Sequence, residues 1–124
     1  MTKWIVALVL LLPLSALAID DNLAVRAIVG ESSNQGGRGM LAVACAIRNR
    51  RTLDGVMGLK AHHIKTEPRW VWQRARRAWA DSLKGDITGG AVSWENERAF
   101  GKPYWARYMR RTVQIGDHVF YAPR

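Results

Sequence analysis

Apolar residues at helical spacing predict a first helix from about Asn22 to Glu31. These residues recur three and four positions apart: Leu23, Ala24, Ala27 and Ile28. Asp20 or Asp21 precedes them as a candidate N-cap. Glu31 stands four residues after Ala27, so we expect its carboxylate to continue the apolar stripe of the helix instead of facing water.

Two further helices are predicted downstream. After a glycine-rich loop from Ser32 to Gly39, the stretch Met40–Arg51 is nearly all apolar and ends in arginines, which favours a central buried helix. A third helix is predicted with Thr66 as its N-cap and Gly85 as its stop. Its inner face is marked by four apolar residues at helical spacing: Trp72, Ala75, Trp79 and Leu83.

The carboxyl-terminal part of the chain has the pattern of short strands. Ala91–Trp94 predicts one strand, and Thr112–Tyr121 predicts two strands joined through Gly116-Asp117, a dipeptide suited to a hairpin turn. The expected fold is therefore α+β and predominantly α-helical, with a small C-terminal β-hairpin.

The amino-terminal residues have the pattern of a signal peptide. Lys3 precedes an uncharged run from Trp4 to Leu17, and the small-residue pattern Ala16-Leu17-Ala18 follows as a cleavage site. The run is shorter than the roughly 20 residues that a helix needs to span a bilayer. We therefore expect residues 1–18 to be removed and residues 19–124 to form one exported domain, periplasmic or extracellular. A retained membrane anchor is the alternative interpretation.

The composition adds a strong positive charge to this picture. The chain has 19 Lys and Arg against 10 Asp and Glu, a formal net charge of +9 at pH 7. Such a surface favours an anionic polymer as partner, and nucleic acid, anionic lipid and the acidic bacterial wall all qualify. Export argues against nucleic acid and limits membrane contact to the signal segment. Anionic lipid and the bacterial wall remain as candidate partners, and we expect the protein to be a monomer.

The spacing of the histidines and the single cysteine does not indicate a metal site, and we expect no metal and no cofactor. His62 and His63 are adjacent and lack the spacing of a helical zinc pair, and His118 stands alone. Cys45 is the single cysteine, which excludes an internal disulfide, and its apolar neighbours predict a buried structural thiol.

Glu31 is the sharpest candidate for chemistry. A carboxyl at the end of an apolar helix face loses water, which favours its protonated form near neutral pH, as a glycosidase acid requires. On spacing alone an alternative stands beside this one, in which Glu31 caps the following loop or pairs with one of the arginines.

Aromatic residues downstream predict a sugar-binding surface. Trp94 lies beside Glu95 and Glu97, and Tyr104 and Trp105 follow in loop-rich sequence. Sugar rings stack on such aromatic faces, so these aromatic residues are candidates for substrate binding. Trp72 and Trp79 have the spacing of core residues instead.

Several blocks of sequence follow one another along the chain: Ala27-Ile28-Val29-Gly30-Glu31, Gly39, Ala42-Val43-Ala44-Cys45-Ala46-Ile47-Arg48-Asn49-Arg50, Ala75-Arg76-Arg77-Ala78, Gly85-Asp86-Ile87-Thr88-Gly89-Gly90-Ala91 and Ile115-Gly116-Asp117-His118-Val119-Phe120-Tyr121. Together these blocks resemble the SleB-type cell-wall hydrolases. The resemblance extends from about Leu23 to Tyr121. It implies a lysozyme-like helical domain in which Glu31 is the catalytic acid. The implied reaction is cleavage of the bond between N-acetylmuramic acid and N-acetylglucosamine in peptidoglycan.

The resemblance assigns two further residues to substrate binding, and this sequence differs from the pattern of the family at two places. Asn96 and His118 lie in or beside the matching blocks and are assigned to substrate binding with the aromatic residues. Ile87 stands where the family usually has proline, and Trp94-Glu95-Asn96-Glu97 replaces an aromatic pair before Asn-Pro. The middle of the chain matches the spore enzymes poorly, so spore-cortex specificity is not carried over.

The capture of the reacting sugar divides the possible activities. A lytic transglycosylase uses the 6-hydroxyl of the muramic acid as nucleophile and needs one carboxylate, and we favour this route. A hydrolytic muramidase needs a second carboxylate, for which Asp86, Glu95 and Glu97 are available. A non-catalytic cationic wall-binding protein is the alternative outside the enzyme class, and only an enzyme depends on the carboxyl of Glu31.

Overall fold

The first helix, α1, extends over Asp21–Ser32 in a computed structural model that describes residues 18–124. The Asp20 carboxylate accepts a hydrogen bond from the Leu23 backbone N–H at 3.0 Å, which confirms an aspartate N-cap. The expected stripe is wrong at its start, because Leu23 lies in the first turn at the surface and is 49% exposed. The signal peptide expected over residues 1–18 falls almost entirely outside the described residues.

The second helix, α2, covers Gly36–Arg50 and begins four residues earlier than predicted. The loop is therefore only Ser33–Gln35, and the remaining glycines serve the helix. Gly39 is buried, and a Cβ there would collide with the Gln35 side chain, so this glycine permits close packing and does not form a turn. The central position of α2 is confirmed, because every residue from Ala42 to Ile47 is buried.

Two short 3-10 helices, Met57–Lys60 and His62–Thr66, connect α2 to the third helix, α3, over Arg69–Asp81. The prediction of Thr66 as N-cap is wrong, because the Thr66 hydroxyl donates to the His63 carbonyl and closes the 3-10 helix instead. The expected inner position of Leu83 is also wrong: this residue follows the end of α3 and is 73% exposed.

A three-stranded antiparallel sheet with the order β1-β3-β2 closes the domain. Its elements in chain order are β1 (Ser93–Asn96), a short helix α4 (Glu97–Phe100), a 3-10 helix (Tyr104–Tyr108), β2 (Met109–Ile115) and β3 (His118–Pro123). The hairpin through Gly116-Asp117 is confirmed. The predicted strand Ala91–Trp94 lies two residues later and pairs with β3, so the sheet has one strand more than the expected hairpin.

The main core joins the helices to the sheet. Its largest fully buried side chains include Ile28 from α1, Met40 and Ile47 from α2, Val71 from α3 and Phe120 from β3. The fold class is therefore confirmed as α+β and dominated by helices. Among residues 18–124, no helix is both long and apolar enough to cross a membrane.

Cys45 is buried in α2, which confirms the expected structural thiol. Burial raises the pKa of this thiol, and the Gly85 carbonyl accepts a hydrogen bond from its sulfur at 3.4 Å. The thiol is therefore kept in its unreactive protonated form.

Candidate active site

A cleft of about 630 Å³ lies between the end of α1 and the sheet. The end of α1 and the residues that follow it line this cleft together with β1 and the start of β3. Polar groups and aromatic side chains line it together, as in sites that bind small molecules and sugars.

Glu31 projects into this cleft from the penultimate residue of α1. Its Oε1 accepts a hydrogen bond from the Gly58 backbone N–H at 2.8 Å, and its Oε2 accepts one from the indole N–H of Trp94 at 3.2 Å. Glu31 is half-buried and forms no ion pair among the described residues, so the alternative of an arginine pair is not supported. Two separate elements thus orient its carboxylate.

A contact between two glycine backbones makes this orientation possible. A Cβ on Gly30 would lie 2.7 Å from the Gly58 Cα and closer still to its carbonyl oxygen. A Cβ on Gly58 would lie 2.6 Å from the Glu31 Cγ. Only glycine allows the two chains to approach so closely that the Gly58 N–H reaches the carboxylate. Gly30 belongs to a block noted in the sequence, whereas the role of Gly58 had no local signal.

Trp94 serves both the core and the cleft. Its ring packs against Phe120 at a centroid distance of 6.5 Å, while its indole N–H donates to Glu31. The tryptophan therefore ties β1 to the end of α1.

The loop before β1 is held by α2 through Asn49. The Asn49 amide donates to the Asp86 carboxylate at 3.0 Å and to the Ala91 carbonyl at 2.9 Å. Burial by itself would raise the pKa of Asp86, but its hydrogen bonds from Thr88, Asn49 and Gly90 outweigh burial and lower the pKa below its usual range. Asp86 therefore has a structural position, and it does not line the cleft.

His118 opens β3 and also lines the cleft. It is only 6% exposed, and its Nδ1 is buried without a hydrogen-bond partner. Burial lowers the pKa of His118, although the nearby charges of Glu31 and Asp117 oppose this effect. The neutral imidazole is thus favoured.

Asn96 pairs with His118 across the sheet, and its side-chain oxygen accepts a hydrogen bond from the Ala99 N–H at 3.0 Å. Glu95, the neighbour of Asn96 on β1, also lines the cleft. Burial raises the pKa of Glu95, a hydrogen bond from the Asn96 N–H opposes this, and the charges of Glu31 and Glu97 raise it further.

The two aromatic residues predicted in the loop-rich segment are separated by the structure. Trp105 lines the cleft and packs edge-on against Tyr121 at 5.3 Å between ring centroids. Tyr104 is 68% exposed, lies outside the cleft, and its hydroxyl is 3.0 Å from that of Tyr108. Successive residues of a 3-10 helix point about 120° apart, which explains the separation.

Several cleft residues had no signal in the sequence, among them Gln35, Met57 and Phe100. Gln35 joins the loop after α1 to the hairpin turn, because its side chain accepts from the Asp117 N–H at 2.9 Å and donates to the Asp117 carboxylate at 3.1 Å. Met57 and Phe100 line the cleft although they are 72% and 79% exposed. Such exposed apolar side chains at a cleft are suited to contact a ligand.

Neither the protein-family models nor the curated protein sequences give a match to this chain. Two solved structures do resemble it. The catalytic domain of the Bacillus cereus SleB protein is 25% identical, with a TM-score of 0.60 over 82% of this chain and 88% of that one. The catalytic domain of the germination-specific lytic transglycosylase SleB from Bacillus anthracis is 26% identical, with a TM-score of 0.59 over 82% of this chain and 92% of that one. The SleB-like cell-wall hydrolase fold is thereby confirmed.

Proposed function

Because the chain has the fold of the SleB catalytic domains, we propose that it cleaves the glycan strand of peptidoglycan and that Glu31 is its catalytic acid. The position of Glu31 carries this proposal: the carboxylate lies in a cleft of about 630 Å³ and is oriented by two N–H donors. One similar solved structure is described as a lytic transglycosylase, which supports activity on peptidoglycan.

In the proposed reaction, Glu31 donates a proton to the glycosidic oxygen between N-acetylmuramic acid and N-acetylglucosamine. The bond from the muramic C1 to that oxygen breaks, and the electron pair stays with the oxygen of the leaving sugar. The 6-hydroxyl oxygen of the same muramic residue then bonds to C1, and its proton returns to Glu31. One carboxylate therefore acts first as acid and then as base, and no water is consumed.

We propose that the sugar chain is bound by Trp94, Asn96, Trp105 and His118, all of which line the cleft. The Nδ1 atom of His118 is buried, so we assign contact with the sugar to the part of the ring that lines the cleft. Tyr104 lies outside the cleft, so we assign it only to an outer contact with the polymer.

The decisive experiment replaces the acid. Glu31→Gln retains the shape of the side chain and lacks the proton, so turnover of purified peptidoglycan should fall by about 10²–10⁴-fold. Wall sedimentation should still show binding, and circular dichroism should show the fold retained. If Glu31→Gln keeps its turnover, the proposal fails. If neither the wild type nor the variant cleaves peptidoglycan and both bind the wall equally well, the chain is a wall-binding protein.

The chemical nature of the product separates the transglycosylase from the muramidase. Digestion in heavy-oxygen water, followed by mass spectrometry, should give unlabelled 1,6-anhydromuramic ends that are one water lighter than hydrolysed ends. Label in the new muramic ends would show that water attacks C1, and the route would then be hydrolytic.

We also propose that the protein is exported and that cleavage after Ala18 leaves Ile19 as the mature amino terminus. Amino-terminal sequencing of the protein from periplasm or medium tests this. An intact Met1 in the membrane fraction would instead support the anchored form.

A further inference from the structure

Of the acidic side chains that the sequence offered as a second carboxylate, only Glu95 lines the cleft. Asp86 is bound by Asn49, Thr88 and Gly90 away from the cleft. Glu97 accepts a hydrogen bond from the Tyr121 hydroxyl. Among residues 18–124, the half-buried carboxylate of Glu95 accepts a hydrogen bond only from the N–H of its own neighbour Asn96, at 3.1 Å, so it forms no hydrogen bond to another element of the fold.

Glu95 and Glu31 both line the cleft, Glu95 from β1 and Glu31 from α1. We propose that Glu95 is a second catalytic carboxylate, which stabilises the positive charge on the muramic ring after Glu31 protonates the glycosidic oxygen. This inference rests on the proposed function. The ionised carboxylate forms no bond to the sugar, so the 6-hydroxyl still attacks C1 and returns its proton to Glu31.

The pKa of Glu95 gives this proposal a signature. Because burial and the charges of Glu31 and Glu97 raise the pKa, Glu95 loses its charge at a higher pH than an exposed glutamate. Activity should therefore decrease on acidification in the wild type, and this decrease should move to lower pH in Glu95→Gln. The other charged or titratable groups near this position belong to four different elements: Glu31, Arg50, Glu97 and His118.

The test compares Glu95→Gln with Glu97→Gln, a matched change two residues away that keeps an oxygen for the Tyr121 hydroxyl. Glu95→Gln should lower kcat by about 100-fold without loss of wall binding, whereas Glu97→Gln should retain wild-type turnover. Glu95→Asp should restore part of the activity and, with it, part of the decrease in activity on acidification that is seen in the wild type.

Three outcomes separate this inference from the proposed function. Wild-type kcat in Glu95→Gln together with an inactive Glu31→Gln overturns the role of Glu95 and leaves the proposed function standing. Equal losses in Glu95→Gln and Glu97→Gln, or loss of wall binding, would show a structural role and also overturn it. Activity in Glu31→Gln overturns the proposed function itself.

A second observation, independent of Glu95, concerns the positive charge of the chain. A hollow of about 600 Å³ beside the cleft is lined by five cationic side chains: Lys102, Arg107, Arg110, Arg111 and Arg124. None of these five forms an ion pair with a carboxylate among residues 18–124. Met109 lines both the hollow and the cleft, so the two cavities adjoin.

We infer that this basic hollow binds the carboxylates of the peptide stem that peptidoglycan carries on each muramic residue. The stem is attached to the same muramic residue whose glycosidic bond is cleaved, so it lies near the cleft when that bond is bound. A neighbouring cavity with unpaired positive charges can bind the acidic groups of the stem. This inference also rests on the proposed function. It predicts a preference for glycan strands that retain their stems.

The test uses two triple variants with the same change in net charge. Arg107→Gln/Arg110→Gln/Arg111→Gln removes charge from the hollow, and the control Arg74→Gln/Arg76→Gln/Arg77→Gln removes it from exposed positions on α3. The substrates are intact peptidoglycan and glycan strands stripped of stems by an amidase. The hollow variant should lose about tenfold or more in kcat/KM on intact strands and little on stripped strands.

Equal losses for both triple variants, or equal losses on both substrates, would show a general effect of net charge and overturn the hollow as a stem site. A wild-type enzyme that cleaves stripped strands as well as intact ones would overturn it too. Failure of the wild type to cleave either substrate would instead contradict the proposed function.

Discussion

Replacement of Gly30 by alanine tests whether the contact between two glycine backbones positions Glu31. In a solvent-exposed helix this change stabilises by about 1 kcal/mol, because glycine is the poorer helix former. At Gly30 the new Cβ would overlap the main chain of Gly58, whose atoms cannot rotate away as a side chain does. Overpacking of this kind costs about 3 kcal/mol. We therefore expect a net destabilisation of about 2 kcal/mol.

Thermal unfolding followed by circular dichroism measures this effect. For a domain of this size the expected loss lowers the Tm by about 8 °C. The matched control is Gly37→Ala, which lies in α2, is exposed, and has no atom within 4 Å of its new Cβ. This control should gain about 0.5–1 kcal/mol and melt a few degrees higher. A Gly30→Ala protein as stable as the wild type would refute the reasoning.

Activity provides a second measurement on the same variant. To accept the Cβ, the 3-10 helix Met57–Lys60 has to move, and the Gly58 N–H then leaves Glu31. Turnover well below the Tm should fall although the protein is folded. Full turnover in a folded Gly30→Ala protein would show that the Gly58 donor is dispensable.

Three further predictions concern the groups around the cleft. The pKa of Asp86 is lower in the folded protein than its value of about 4 in the unfolded chain, so the ionised carboxylate stabilises the fold above pH 4 and this stabilisation is lost as the pH falls through the folded-state pKa. The Tm of Asp86→Asn should therefore depend less on pH below about 4 than the wild-type Tm. Because the pKa of His118 is lower in the folded protein than in the unfolded chain, protons bind the unfolded chain first and the Tm should fall as the pH drops below about 6.5. His118→Gln should remove this dependence. Trp94→Phe keeps an aromatic ring against Phe120 but loses the donor to Glu31, so kcat should fall about tenfold with little change in Tm; an unchanged kcat would contradict the role of the indole.

Elements with a local cause were predictable from the sequence. The Asp20 cap and the Gly116-Asp117 turn act within a few residues of the chain, and both are confirmed. The start of α2 was not predictable, because Gly39 is poor in a helix by propensity and is required there by the neighbouring Gln35 side chain. Strand β1 was misplaced by two residues since its register depends on β3, about 25 residues later.

The candidate site shows the same division. Glu31 was found because an apolar helix face and an ordered set of blocks both pointed to it. Gly58 and Gln35 had no such signal, because each acts through a single contact with a residue 27 or 82 positions away. A contact of this kind leaves no periodic pattern in the sequence.

The structure also changes the physical explanation of Glu31. The sequence suggested an acid that is shielded by an apolar helix face, yet Leu23 at the start of that face is exposed and Glu31 itself is only half-buried. The carboxylate is instead held by one donor from the 3-10 helix Met57–Lys60 and one from β1. Because α1 supplies only the carboxyl group, the geometry of the site depends on the docking of two other elements against the end of α1. Substitutions at these contacts should therefore impair catalysis even where no atom of the sugar is touched.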